Sequence, residues 1–172
     1  ALETIEKYKV TDSQWVPTHF VRMLKLDPEV RTRYDLSSHQ RALHAAAPCP
    51  VPIKREMIEW WGPIINEYYA GSEGVGMTLI KAEDWLTHPG SVGKAIHGTL
   101  HVCDAEGEEV PAGQDGLLYF ENDLIPTYHN DPEKTREAMH PKGWMTLGDI
   151  GHVDEDGFLY LTDRKSHMII SG

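Results

Sequence analysis

The chain has 172 residues, with 16 Lys or Arg against 27 Asp or Glu, a formal charge of -11 and 40% hydrophobic residues. That acidity argues against a nucleic-acid partner, whose binding draws on clustered Lys and Arg, while the apolar share suffices for one domain or two small ones. No apolar run approaches a membrane span, no basic and apolar leader opens the chain, and Cys49 and Cys103 set no disulfide framework, so a soluble, reducing, cytoplasmic setting is expected.

In chain order, Leu2, Ile5 and Tyr8 predict a first helix, and Pro17 followed by Phe20, Val21 and Leu24 predicts a second. Residues 35–38 offer turn chemistry, and the run 42–47 reads as a strand. Residues 50–61 carry Ile53, Met57, Ile58 and Trp61 on one side and Lys54, Arg55 and Glu59 on the other, an amphipathic helix stopped by Gly62-Pro63. A strand over 64–68 follows. Alternating helix and strand up to about Leu79 predicts part of a doubly wound α/β layer, in which ligands sit at the carboxyl ends of strands. Tyr69 falls at such an end. From His97 onward short strands and Gly or Asp turns predict a mostly antiparallel, β-barrel-like subdomain with one helix over 132–139, capped by Asp131 and entered through Pro132. The boundary falls between Thr87 and Lys94, giving subdomains 1–90 and 91–172. There is no internal repeat or low-complexity tract.

Two stretches carry chemistry. Residues 143–172, GWMTLGDIGHVDEDGFLYLTDRKSHMIISG, set short apolar runs around Asp-Glu-Asp-Gly, a hairpin-turn signal. Asp149 ends one run and Asp163-Arg164 closes another. A loop carboxylate can accept two hydrogen bonds from vicinal hydroxyls, as on a ribose, and a guanidinium offers a rigid fork of donors. The same residues also fit an ordinary ion pair between turns. In YYAGSEG, residues 68–74, Tyr69 would leave a strand end with a ring face for a base, Ser72 offers a hydroxyl to a phosphate, and Glu73 is the kind of single carboxylate that Mg²⁺ takes beside substrate phosphates. A Gly-rich turn with a core tyrosine and a solvated glutamate fits these residues too.

Three motifs fall away. GSVGKA, residues 90–95, has His88 where a phosphate loop needs Gly and Ala95 where it needs Ser or Thr. DEDG, residues 154–157, has Lys165 where a calcium loop needs Glu. The ten histidines contain no HExxH and no zinc-type spacing, so none is a predicted metal ligand.

An ordered series of segments then resembles the AMP-forming acyl-CoA synthetase, aryl-CoA ligase and luciferase superfamily. AAAPCP (45–50) resembles its Gly-Gly-Ala-Pro segment, with Ala where Gly is usual. YAGSEG resembles Tyr-Gly-x-Thr-Glu, with Ala70 for Gly and Ser72 for Thr. GSVGKA with DAEGEEVPAGQDGLLYF resembles the Gly-x-Val-Gly segment and its hairpin, and TYHNDPEKT the Gly-Tyr-x-x-x-Pro-Glu-x-Thr segment. GWMTLGD carries Asp149 and LTDRKSHMIISG carries Arg164. The series covers nearly the whole chain.

The resemblance implies an ATP-dependent carboxylic acid ligase that forms an acyl adenylate and then a coenzyme A thioester, with Mg²⁺ as cofactor. It implies that Tyr69 stacks on adenine, Ser72 meets the α-phosphate, Glu73 holds Mg²⁺, and Asp149 and Arg164 hold the ribose hydroxyls. Ser72 and Glu73 would be the catalytic groups. Ala46, Ala47, Pro48, Ala70 and Gly71 would line the nucleotide passage. His19, Phe20, Ala45 and Gly71, with Trp15, Val16 and Met23, are candidate contacts for a hydrophobic acid such as a fatty acid, and the helical ones fit a core equally well. Ser166 falls at the family's interdomain hinge. The sequence contains no Ser/Thr/Gly-rich phosphate loop and no catalytic-lysine domain, and it opens with Ala. We therefore expect a piece of a larger enzyme, inactive by itself and prone to self-association through bared apolar surface. The alternatives are a nonenzymatic nucleotide-binding module and an adenylating enzyme with another acceptor.

Overall fold

The computed structural model describes residues 1–164; Ser166 lies outside them. The chain forms two compact units, one of residues 1–68 and 80–90, the other of residues 69–79 and 91 onward.

The first unit is built from α1 (Leu2–Tyr8), β1 (Asp12–Trp15), α2 (Pro17–Leu24), α3 (Pro28–Arg31), β2 (Arg41–His44), α4 (Val51–Trp61), the start of β3 (Ile65–Ala70) and α5 (Ala82–Thr87). β1 pairs with β2 and β2 with β3, both parallel, through registers that include Ser13 with Ala42 and Ala42 with Ile65. Parallel neighbours need a crossover, and α4 supplies one between β2 and β3. The helices bury Leu2 and Ile5 from α1, Pro17, Phe20 and Met23 from α2, and Met57, Ile58 and Trp61 from α4, while Val21, Leu24 and Ile53, expected in these stripes, are only half-buried. Tyr8 is 67% exposed and takes no part in the core.

Three readings need correction. The strand over 42–47 stops at His44, and Ala46 then turns the chain with φ 74, a left-handed value outside the extended region. The strand over 64–68 runs on to Ala70. Lys54, assigned to the solvent side of its helix, is wholly buried. Its ammonium donates to Glu67 Oε2 at 2.6 Å, and Glu67 shares the buried face of β3 with Ile65. Burial of an ammonium is tolerable only with such a partner, and periodicity within one helix cannot reveal a partner on another element.

The second unit contains β4 (Met77–Ile80) up to Leu79, β5 (Lys94–His97), β6 (Thr99–Cys103), β7 (Gly116–Glu121), α6 (Pro132–Glu137), β8 (Met145–Val153) and β9 (Leu159–Arg164). β4 and β5 pair antiparallel, and β6 to β9 make an antiparallel four-stranded sheet in chain order. Among the described residues this sheet is open, with β6 and β9 at its edges, and does not close into a barrel. Its turns follow the sequence: Asp154 Oδ1 accepts from the backbone of Asp156 and Phe158 between β8 and β9, and Asp104 Oδ1 does the same for Glu106 and Glu108. Asp131 accepts from the Lys134 N–H at 2.9 Å, a cap worth about 1 kcal/mol. The helix it opens ends at Glu137, two residues short of the expected Met139.

The GSVGKA segment is committed to this sheet. Ser91 Oγ donates to the Leu159 carbonyl at 2.8 Å, Gly93 N–H donates to Ser91 Oγ, and Thr78 Oγ1 donates to the Val92 carbonyl. Its polar groups close the fold and do not form a phosphate cradle.

Candidate functional site

β3 delivers Tyr69 near its carboxyl end, and the chain then turns through Gly71, Ser72 and Glu73. Tyr69 packs on a core of Val75, Phe120, Ala138 and Met145 in the second unit, where Tyr128 and Leu147 join it. Gly71 sits close to its neighbours: a Cβ there would stand 2.6 Å from Leu147 Cδ2 and 2.7 Å from Glu73 Oε2, and those side chains would have to shift.

The sheet brings Asp149 to this core. Within β8, Gly148 has φ 82, and the ladder with β9 is irregular between Ile150 and Gly151. A local kink of this kind re-aims side chains. Asp149 is half-buried and accepts from the Tyr69 hydroxyl at 2.6 Å. Across the ladder Asp149 stands opposite Arg164, so the two residues named for the ribose are cross-strand partners in backbone register.

Glu73 is held in the same manner. Its Oε1 accepts from the Tyr128 hydroxyl at 3.2 Å and its Oε2 from Ser72 Oγ at 3.4 Å. Tyr128 N–H is fixed by Thr135 Oγ1 at 2.9 Å, which ties it to α6. Tyr128 and Thr135 belong to the TYHNDPEKT segment, but nothing in the sequence joined that segment to Glu73. The donor set suits Mg²⁺: one half-buried carboxylate and a hydroxyl beside it, leaving the remaining ligands to phosphates and water. Among the described residues there is no group of three or more His, Cys, Asp or Glu that could cage a metal.

All but one of the other predicted positions among the described residues lie in the first unit. Ala45 is buried, Ala46 and Pro48 are exposed and Ala47 is half-buried, in the bend after β2. Ala70, in the second unit, is exposed. Phe20 is fully buried, edge-on to His44 at 5.3 Å and to Trp61 at 6.2 Å, a placement in helix core. His19 is exposed, its Nδ1 accepting from the Val16 N–H at 3.4 Å.

Sequence reading missed the buried group beneath this bend. Lys54 Nζ also lies 4.8 Å from the centre of the Trp85 ring, and His44 Nε2 is 3.4 Å from Glu67 Oε2. Burial, with the Lys54 charge second, pushes His44 down to about 3, so its ring is neutral and does not form an ion pair. Burial likewise pulls Lys54 down and Glu67 up, against their mutual attraction. The Cys49 thiol is pushed up to about 12 by burial and then by Glu67, which makes it a poor nucleophile. The one sequence signal was Glu67 itself, a carboxylate inside an apolar strand.

The chain thus has a parallel α/β unit and an antiparallel unit, the second of which gathers an aromatic ring and two hydrogen-bonded carboxylates. The chain belongs to the AMP-binding enzyme family, whose pattern it matches over residues 1–128. It is 32% identical over 174 residues to a long-chain-fatty-acid–CoA ligase of Bacillus subtilis (strain 168), a match covering 99% of this chain and 30% of the relative. It is 30% identical over 175 residues to the 4-coumarate–CoA ligase-like protein 3 of Arabidopsis thaliana, covering 98% and 31%. Its fold resembles a variant of the amide bond synthetase McbA from Marinactinospora thermotolerans, with a TM-score of 0.86 and 28% identity over 98% of this chain and 35% of that one. The chain thus spans about a third of the length of the curated relatives it matches.

Proposed function

We propose that this chain supplies the base, ribose and metal side of the nucleotide site in an ATP-dependent ligase, one that converts a hydrophobic carboxylic acid to an acyl adenylate and then to a coenzyme A thioester. The observation that carries the reading is the pairing of Tyr69 with Asp149 on the core that also seats Tyr128, whose hydroxyl holds Glu73. An aromatic face beside a carboxylate is what a nucleoside needs, and a second carboxylate next to a hydroxyl-bearing turn suits the metal and phosphate end.

In the first step the substrate carboxylate attacks the α-phosphorus of ATP, and the bond to the β-phosphate oxygen breaks to release pyrophosphate. Such a displacement depends on alignment and on neutralising charge. In this reading Tyr69 holds the base, Asp149 and Arg164 hold the ribose, and Ser72 donates to the α-phosphate. Glu73 would hold Mg²⁺, which supplies charge compensation when bound. Ala46, Ala47 and Pro48 of the first unit, and Ala70 and Gly71 of the second, are further nucleotide-side candidates. Ala45 and His19 are the acid-side candidates, and a fatty acid is the preferred substrate. Phe20, sealed in core, is left out.

A second reading keeps the adenylation and changes the acceptor, since the amide bond synthetase resembles this chain as well as the CoA ligases do. Coenzyme A dependence of product formation separates the two.

The test is Asp149→Ala in the complete gene product, followed by ATP–pyrophosphate exchange with a panel of acids. Loss of a carboxylate that grips two hydroxyls should cost about 2 to 4 kcal/mol. That corresponds to a fall in exchange of roughly 30-fold to several hundredfold. A thermal melt should move little. Exchange within about twofold of the parent would reduce Asp149 to a turn residue and remove the main support for the reading.

A further inference from the structure

We infer that the Tyr69 hydroxyl is a positioning group for the ribose, acting through Asp149 and separately from the contact its ring makes with a base. This rests on the nucleotide reading above. The two residues are 80 apart in sequence and are brought together by the second unit alone, at a hydroxyl-to-carboxylate distance of 2.6 Å. That is the range of a short, charge-assisted hydrogen bond.

A carboxylate on a strand turns about its terminal carbon–carbon bond in a broad, roughly two-fold well, so its oxygens are not fixed by rotamer preference alone. Two features help to fix it here. The Tyr69 ring is seated on Phe120 at 6.4 Å and on the surrounding core, so its hydroxyl projects from a rigid platform. Gly148, at φ 82, sets the backbone immediately before Asp149. A tyrosine hydroxyl takes about one of the four acceptor directions of a carboxylate and fixes the direction of the others. A vicinal diol needs both oxygens in one plane, so a carboxylate already oriented spares the ligand the cost of ordering it.

The experiment uses the complete gene product and measures affinity for ATP, 2′-deoxy-ATP and 3′-deoxy-ATP by titration calorimetry, with thermal melts to check folding. Tyr69→Phe keeps the ring and removes the hydroxyl. The parent should prefer ATP to each deoxy analogue by about tenfold or more, as for other charge-assisted hydroxyl contacts. Tyr69→Phe should cut that preference at least about threefold, through weaker ATP binding, while affinity for the deoxy analogues moves by less than about twofold. Tyr69→Leu, which removes the ring too, should weaken all three nucleotides.

An unchanged preference in Tyr69→Phe, with Asp149→Ala still damaging ATP binding, would overturn this inference and leave the proposed function standing. Equal weakening of all three nucleotides by Tyr69→Phe would assign the hydroxyl to general packing and also overturn it. If Asp149→Ala leaves ATP affinity untouched, the inference and the function fall together.

Discussion

Glu67 and Glu73 stand six positions apart in one stretch of chain, yet they sit in different units and in opposite circumstances. Glu67 is 5% exposed and bound to an ammonium that is wholly buried. Glu73 is half-buried and accepts from the hydroxyls of Tyr128 and Ser72. A carboxylate paired with a buried ammonium is committed to the fold, whereas uncharged donors orient a carboxylate without supplying a counter-charge. Asp149, in the second unit, likewise accepts from a neutral hydroxyl, that of Tyr69.

The sharpest way to break this comparison is Lys54→Ala, which leaves Glu67 buried without its cation. A broken buried pair typically costs about 3 to 5 kcal/mol. Lys54→Met with Glu67→Leu removes both charges at similar volume and should recover most of the loss. Urea unfolding of the three proteins measures this, and a single variant as stable as the parent would show that the pair is not a structural unit.

Acid should act next, and mainly on the first unit. His44 is held near 3, well below its ordinary 6.5, so the unfolded chain takes up its proton at a pH where the folded chain does not. The stability this ring contributes is complete above about pH 6.5 and falls as the pH drops toward 3, by about 1.4 kcal/mol per pH unit within that window. His39, also lowered by burial, adds a loss of the same sign. Denaturation midpoints at several pH values for the parent and for His44→Leu provide the check. Equal slopes would sink the assignment.

The smallest effect concerns Ala46, whose φ of 74 is unfavourable for any residue with a Cβ. Ala46→Gly relieves that strain but loosens the unfolded chain, so the net gain should be at most about 1 kcal/mol. A melting temperature raised by no more than roughly 2 to 4 °C is the expected reading for a chain of this size. A fall would mean that the bend is not strained.

These contrasts also explain what the sequence could carry. Local chemistry was readable: Asp131-Pro132 announced the start of α6, Asp154 to Gly157 announced a tight turn, and Gly62 closed α4 where a glycine should. The register of apolar side chains located most helices. What stayed hidden were β1, α3 and α5, short elements whose few residues give no period to count, and every contact made between distant elements. Lys54 obeyed the helical spacing of a surface residue, and only Glu67 on β3 makes its burial possible. In the candidate site, Tyr69, Glu73 and Asp149 were each noticed for their own chemistry. The hydroxyls that orient the two carboxylates, and the role of Tyr128, depend on separations that no local pattern spans.

The first unit is not one continuous stretch of chain: it is closed by residues 80–90, after the excursion through 69–79. Trp85, 1% exposed, caps Lys54 from that returning piece. During synthesis, therefore, the ammonium and its glutamate emerge before their lid does. A chain lacking residues 80–90 would keep both charges and lose the indole that lies 4.8 Å from the ammonium, which would open the ion pair to solvent screening.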